Sequence, residues 1–329
     1  MEEQIGAGVQ RIVVLGTGGT IAGRAITDSD NVGYVAGQVG IAELLGGLAG
    51  PAGVALTAEQ VAQVDSKDMD HAIWRTLALR CAHWLAQRDV VGIVVTHGTD
   101  TAEETAFFLQ SVLAPAKPVV LACAMRPASA LNPDGPQNLR DAVAVAATAG
   151  AQGVTLVCAG AVHSAFDVQK THTYRLDAFG SGDAGPVGYV EEGRVVCMRN
   201  WPAAPVERAQ PAIELIANES PWPRVEIVMS HAGVSGVLVD ALLQAEAVDG
   251  LVLAATGNGT LHHELEAAAR RAQQRGVAVL RATRCASGRI LPHGDDALPD
   301  AGALSPVKAR VRLMLELLAR RAVLQAQRD

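Results

Sequence analysis

The sequence predicts a two-domain α/β fold, with a larger N-terminal, mostly parallel sheet flanked by helices and a smaller C-terminal α/β domain. Three observations predict it. The chain has 329 residues, more than a single core usually holds. Short continuous apolar runs alternate with longer amphipathic ones, as in parallel strands buried on both faces and joined by helices. One proline-rich stretch interrupts this alternation, which then resumes.

The elements follow in order. Residues 11–15 (RIVVL), 92–96 (GIVVT), 118–122 (PVVLA) and 153–158 (GVTLVC) read as strands, being short, apolar and rich in β-branched side chains. Residues 70–87, 102–113 and 138–149 carry helical periodicity. The apolar face of 70–87 can pack in the core or against a partner. Between 200 and 223 stand Pro202, Pro205, Pro211, Pro221 and Pro223, a linker signal. Strands are then expected at 225–229, 250–254 and 277–281, with helices at about 235–246, 260–275 and 305–325. The expected domains are 1–200 and 224–329, joined by 201–223.

Composition narrows the partners. Hydrophobic residues make up 49% and charged residues 19%, with only 3% aromatic. That is the balance of a well-buried globular chain with an aliphatic core. The net charge is −7 and no basic block occurs, so nucleic acid is not an expected partner. No apolar stretch approaches the roughly 20 residues that span a bilayer, so no membrane is expected. The segment "MEEQIGAGVQR" is acidic and lacks an apolar h-region, which predicts a cytoplasmic protein. Cys81, Cys123, Cys158, Cys197 and Cys285 form no C-x-x-C pair and read as small buried thiols. The histidines show no metal spacing; His262 and His263 open a helix and are expected to face solvent.

In open parallel sheets ligands bind beyond the carboxyl ends of strands, so the loops there carry the functional reading. "VVLGTGGTIAG" (Val13–Gly23) is glycine-rich, but a dinucleotide fingerprint starting at Gly16 requires glycine at position 21, which is Ile21. A phosphate loop fails as well, because Arg24 and Ala25 follow Gly23. What remains is a tight turn presenting Thr17 and Thr20, whose hydroxyls can also simply bond their own backbone. In "DSKDMDHAIW" (Asp65–Trp74), Asp65 or Ser66 can cap the following helix. "THGTDTAEET" (Thr96–Thr105) contains Asp100-Thr101-Ala102-Glu103, the spacing of a capping box. Capping explains Asp100 but not the crowding of His97, Thr99 and Thr101 into one turn, since clustered polar groups cost free energy unless each is paired. Lys170, in "FDVQKTHT", reads by itself as a surface lysine.

Together these segments resemble the bacterial-type L-asparaginase/glutaminase amidohydrolase family. "TGGTIAG" (Thr17–Gly23) and "THGTDTAEETAFFL" (Thr96–Leu109) look like its two signature segments. "AMRP" (Ala124–Pro127), "DGPQNLRDAV" (Asp134–Val143), "DVQKTHT" (Asp167–Thr173), "GPVGYV" (Gly185–Val190), "TGNGTL" (Thr256–Leu261) and "SPVKARVRLML" (Ser305–Leu315) fit in the same order. The resemblance implies hydrolysis of a side-chain amide without metal or cofactor, and a homotetramer built as a dimer of intimate dimers. It matches Thr17 to a nucleophilic threonine and Tyr34, in "VGYVAGQVG", to the tyrosine of a closing loop. Thr99, Asp100 and Lys170 match a second catalytic set, with Asp100 also holding the substrate α-ammonium. Ser66 matches a serine for the α-carboxylate, and Asn258 an asparagine reaching in from a neighbouring subunit. The chemistry suits these residue types: a threonine hydroxyl needs a neighbour to take its proton, with Lys170 acting through Thr99 or Tyr34 acting on Thr17. Backbone N–H groups of the two turns are candidate oxyanion donors.

Two positions depart from the family. Lys67 stands where glutamine is common beside the substrate serine, and His293, in "LPHGDDALP", stands where an acid is donated by the neighbouring subunit. Two like charges at about 4 Å repel by roughly 4 kcal/mol at an effective dielectric of 20, so an inward Lys67 opposes a substrate ammonium. Three arrangements stay open: Lys67 faces solvent, it pairs with Asp100 until substrate arrives, or the substrate lacks a free α-ammonium. The expected function is conversion of L-asparagine to L-aspartate and ammonia. The alternatives are an amidase for an asparagine-like amide without a free α-amine, and a weakly catalytic amino-acid-binding homologue.

Overall fold

The computed structural model describes residues 9–27, 30–202, 213–218, 221–291 and 298–327. The chain divides into two compact units, Met1–Ile213 and Glu214–Asp329.

The first unit is built on an eight-stranded sheet. In chain order its elements are β1 (Gln10–Gly18), the two-residue strands β2 (Arg24–Ala25) and β3 (Tyr34–Val35), α1 (Ile41–Leu44), β4 (Val54–Val64), α2 (His71–Leu85), β5 (Val90–Thr96), α3 (Ala102–Leu113), β6 (Val119–Ala122), α4 (Gly135–Ala146), β7 (Val154–Cys158), β8 (Ala161–Ser164), β9 (Gln169–Lys170), β10 (Phe179–Gly180), β11 (Gly188–Glu191) and β12 (Arg194–Cys197). The sheet order is β12-β11-β8-β7-β6-β5-β1-β4. The five strands from β4 to β7 are parallel, and β8, β11 and β12 add an antiparallel edge. The chain leaves β1 toward β4 on one side and returns to β5 on the other. The gap beyond the carboxyl ends of β1 and β5 is therefore a topological switch point.

The central strands are continuous apolar runs because both faces are covered. Ile12, Val13, Val14 and Leu15 of β1 and Ile93, Val94 and Val95 of β5 are fully buried. Trp74, Leu77, Ala78 and Cys81 form the buried face of α2, so that face lies in the core. β4 escapes the sequence reading because it alternates half-buried and exposed residues, as an edge strand does. Helix α4 begins three residues before the expected 138, since Pro136 is favourable in a first turn.

The second unit holds α5 (Ile213–Asn218) from its second residue onward, β13 (Val225–Met229), α6 (Val237–Gln244), β14 (Gly250–Ala255), α7 (His263–Gln274), β15 (Ala278–Thr283) and α8 (Pro306–Ala326). Its three strands are parallel, in the order β13-β14-β15. Helix α5 lies inside the stretch read as linker. Its Ile216 is fully buried.

Two smaller expectations are corrected. Cys197, on the edge strand β12, and Cys285, in the loop after β15, are exposed rather than buried; Cys81, Cys123 and Cys158 are buried as expected. The helix α2 is capped by Asp70, whose carboxylate accepts from Ile73 N at 2.8 Å. Asp65 caps only the short 3-10 turn Ser66–Asp68.

Candidate active site

Three loops meet at the switch point, and glycine lets them meet. Gly18 and Gly19 have φ of +101° and +82°, a region costly for other residues. A Cβ on Gly18 would lie 2.5 Å from Val64 O, and one on Gly19 would run into the backbone of Gly98. A Cβ on Gly98 would in turn lie 2.5 Å from Ser66 Oγ. The turn after β1, the turn after β4 and the turn after β5 are thus stacked backbone on backbone. Gly19 N donates to Val64 O at 2.8 Å.

Thr17 sits where the β1–β4 register slips, between Gly16 paired with Gln60 and Gly18 paired with Val64. Such an irregularity re-aims a side chain. Thr17 is 1% exposed, and its hydroxyl donates to Thr96 O at 2.8 Å. The neighbouring Thr20 shares a 2.6 Å hydrogen bond with the Tyr34 hydroxyl, so here Tyr34 meets Thr20 rather than Thr17. Burial raises the Tyr34 pKa above its ordinary value, and the bond to Thr20 lowers it by a smaller amount. β3, which carries Tyr34, pairs with β2, and the base of this hairpin is tied down by Gln38 N and Val39 N donating to Ala22 O.

The turn after β5 is fully engaged. Lys170 Nζ donates to Thr99 Oγ1 at 2.8 Å and to Asp100 Oδ1 at 2.5 Å. Ser66 Oγ accepts from Asp100 N at 3.1 Å, and Thr101 Oγ1 donates to Ser66 O at 2.8 Å. The expected capping box is not formed. Thr101, not Asp100, is the N-cap of α3, and it makes no side-chain cap. Asp100 pairs with Lys170 instead, and Glu103 Oε2 accepts from Lys170 N at 2.8 Å. The two carboxylates of the motif therefore fix β9, the strand that delivers the lysine.

His97 is buried behind this turn. Trp74 Nε1 donates to Thr105 Oγ1 at 2.9 Å, the Thr105 hydroxyl lies 2.9 Å from His97 Nε2, and His97 Nδ1 lies 2.7 Å from Gly98 O. One proton arrangement satisfies the chain: Thr105 donates to Nε2, and a neutral ring donates from Nδ1. Burial pushes the His97 pKa down to about 4 against the smaller opposing effect of the Gly98 carbonyl. The crowding noted in the sequence thus divides in two: Thr99 and Asp100 face Lys170, whereas His97 and Thr101 brace the turn.

Lys67 pairs within its own turn. Its Nζ donates to Asp65 Oδ2 at 3.0 Å and to Asp68 Oδ2 at 2.9 Å, and these bonds, Asp68 foremost, raise its pKa. Pairing with Asp100 is not seen, because Lys170 occupies that carboxylate. The "AMRP" and "DGPQNLRDAV" segments are scaffold: Asp134 accepts from Met125 N and Arg126 N, both at 2.9 Å, and Asn138 joins Cys123 O to Ala159 N.

Asn258 belongs to the second unit, where its amide clamps Leu291, accepting from Leu291 N at 2.7 Å and donating to Leu291 O at 3.2 Å. His293 lies outside the described residues. Thr20, Asp65, Asp68 and Thr105 are site groups whose partners the sequence did not reveal. Thr20 stood in the sequence only as a turn hydroxyl and Asp65 only as a cap candidate, and Thr105, inside α3, gave no signal of its own. Among the described residues no cluster of three or more His, Cys, Asp or Glu is arranged to hold a metal, and no helix is long and apolar enough to cross a membrane.

Comparison with known proteins agrees with this architecture. Residues 11–203 match the family model described as Asparaginase, N-terminal, and residues 224–328 the Glutaminase/Asparaginase C-terminal domain. The chain is 38% identical over 312 residues to L-asparaginase 2 of Bacillus subtilis (strain 168), covering 93% of this chain and 82% of that one. It is 35% identical over 316 residues to a glutaminase-asparaginase of Pseudomonas fluorescens biotype A, covering 93% and 86%. The crystal structure of a probable cytoplasmic L-asparaginase from Campylobacter jejuni superposes with a TM-score of 0.84 at 36% identity, covering 94% of this chain and 95% of that one. With two interlocked threonine-bearing turns at the switch point of its larger sheet and both family domains matched in order, the chain belongs to the asparaginase family.

Proposed function

We propose that this chain is an amidohydrolase that converts L-asparagine to L-aspartate and ammonia, with Thr17 as nucleophile. The observation that carries the reading is the convergence of two buried threonine hydroxyls, on Thr17 and Thr99, with a lysine ammonium bonded to the second. A binding module needs neither. Thr17 Oγ forms a bond to the amide carbon while its proton passes to the departing nitrogen. The C–N bond breaks, ammonia leaves, and water then cleaves the threonine ester to release the carboxylate and restore the hydroxyl. Tyr34, held neutral by burial, and the Thr99–Lys170 pair are the proton carriers. Ser66 receives the α-carboxylate, and Asp100 exchanges part of its bond to Lys170 for the substrate α-ammonium. The hairpin that carries Tyr34 excludes water until the ester has formed.

Asn258 and His293 enter the same proposal as groups reaching the site from a neighbouring subunit of a homotetramer. Cytoplasmic residence completes it, in keeping with the similarity to the probable cytoplasmic L-asparaginase from Campylobacter jejuni. Sedimentation and cell fractionation check these two points. The internal pairing of Lys67 favours a substrate with a free α-amine over an amide lacking one. The decisive experiment measures ammonia release from L-asparagine, L-glutamine, D-asparagine and N-acetyl-asparagine by the wild type and by Thr17→Ala. L-asparagine is expected to be turned over fastest and Thr17→Ala to be nearly inactive. Absence of turnover on every amide overturns the reading.

A further inference from the structure

A lysine beside a substrate-binding serine is an awkward neighbour for a cationic substrate, and the local chain deals with it. Lys67 is the middle residue of the 3-10 turn Ser66–Asp68. The residue before Ser66 and the residue after Lys67 are both aspartates, and one turn brings both carboxylates to the same ammonium, at 3.0 and 2.9 Å. A third bond, from Lys67 N to Asp65 Oδ1 at 3.4 Å, ties Asp65 to the turn. The lysine is therefore held from two sides by its own loop.

This turn adjoins the site directly. Ser66 Oγ accepts from Asp100 N. Burial dominates the raised pKa of Tyr34, with the charges of Asp65 and Asp100 adding to the rise and Lys67 opposing it, so the three charges act at one place. Around it stand three carboxylates, Asp65, Asp68 and Asp100, against two ammoniums, Lys67 and Lys170. An approaching cation meets an excess of negative charge as long as Lys67 stays with its aspartates.

We propose that Asp65, acting with Asp68, is a specificity-determining positioning residue that holds Lys67 off the path of the substrate α-ammonium and so lets this site take amides bearing a free α-amine. This rests on the amidohydrolase reading above. Both partners are more than a third exposed, so the effect is moderate and screened by salt.

The test is a kinetic cycle on the intact enzyme. KM and kcat are measured for L-asparagine and for succinamic acid, the same amide without the amine, in wild type, Asp65→Asn, Lys67→Gln and the double variant, at low and high salt. Asp65→Asn is expected to raise KM for L-asparagine about 5-fold with kcat little changed, as uniform binding is lost. Succinamic acid is expected to show no such rise, and the asparagine effect to vanish in the Lys67→Gln background and to shrink at high salt. Asp68→Asn gives the same pattern without touching the bond from Asp65 to the backbone. Equal changes for both substrates, or an unchanged Asp65→Asn effect when Lys67 is absent, overturn the inference while leaving the hydrolase reading intact. No turnover by the wild type overturns both.

Discussion

Lys170 Nζ lies 2.8 Å from Thr99 Oγ1, although 71 residues separate the two in the chain. The pair exists because β9 is fixed to α3 through Glu103, and because Asp100 neutralises the ammonium from the other side. Replacing Lys170 by Met removes the proposed proton carrier and the ammonium that pairs with Asp100. We expect kcat for L-asparagine to fall roughly 10³-fold, within the usual range for a lost acid–base group. Arginine is not expected to restore it, since a planar guanidinium that stays charged cannot exchange the proton. A Lys170→Met enzyme keeping a tenth of wild-type kcat sinks this role.

Tyr34→Phe deletes the 2.6 Å bond to Thr20 while keeping the ring that packs beneath Gly23. We expect kcat to drop roughly 10²-fold with the melting temperature nearly unchanged. The folded pKa of Tyr34 lies above its ordinary 10.0 because of burial. The hydroxyl therefore stays protonated through neutral pH, and its stabilising contribution is present below pH 10 and lost as pH rises past the folded value. Stability curves from pH 8 to 11 should be flatter at the alkaline end for Tyr34→Phe than for wild type.

Gly19→Ala tests the stacking of the loops. The new Cβ would collide with the Gly98 backbone at a residue already at φ +82°. Strain and overpacking each cost about 1–3 kcal/mol, so thermal unfolding should show a loss of several degrees together with loss of ammonia release. Retention of wild-type kcat argues that the turns need not touch.

His97 gives an acid-linked signature. Its folded pKa, about 4, lies below the ordinary 6.5 because the ring is buried. The neutral ring's contribution is complete above pH 6.5 and lost as pH falls from there toward 4, amounting to about 3 kcal/mol. His97→Asn should be less stable at pH 7, because the Thr105 hydroxyl loses its acceptor. It should also lose less than wild type between pH 7 and pH 4 in urea titrations. Parallel pH dependences assign the acid sensitivity elsewhere.

Much of this was legible in the sequence. The parallel strands β1, β5, β6 and β7, the helices α2 and α3 and the three strands of the second unit all carry apolar patterns too regular for another reading. β4, β11 and β12 were not legible, because half-exposed strands carry only weak alternation, and β8 was not, because it is short and half of it is the polar pair His163-Ser164. The site was legible as places: polar residues at carboxyl ends of buried strands. Its partners were not. Asp100 and Glu103 have the spacing of a capping box, and local rules alone assign them to their own helix.

What the sequence by itself determined is the alternation of buried strands and helices, the glycines that tolerate close loops, and the threonines set at strand ends, since each follows from local sterics and hydrophobic periodicity. The tertiary structure alone decided which polar group each of these meets: Thr17 with Thr96 O, Tyr34 with Thr20, and Asp100 with Lys170, whereas Lys67 is paired by the aspartates of its own turn. Short-range propensity sets where a side chain starts. Only the stacking of distant strand ends sets which charge it must balance when water is withdrawn, and that balance turns a polar turn into a site.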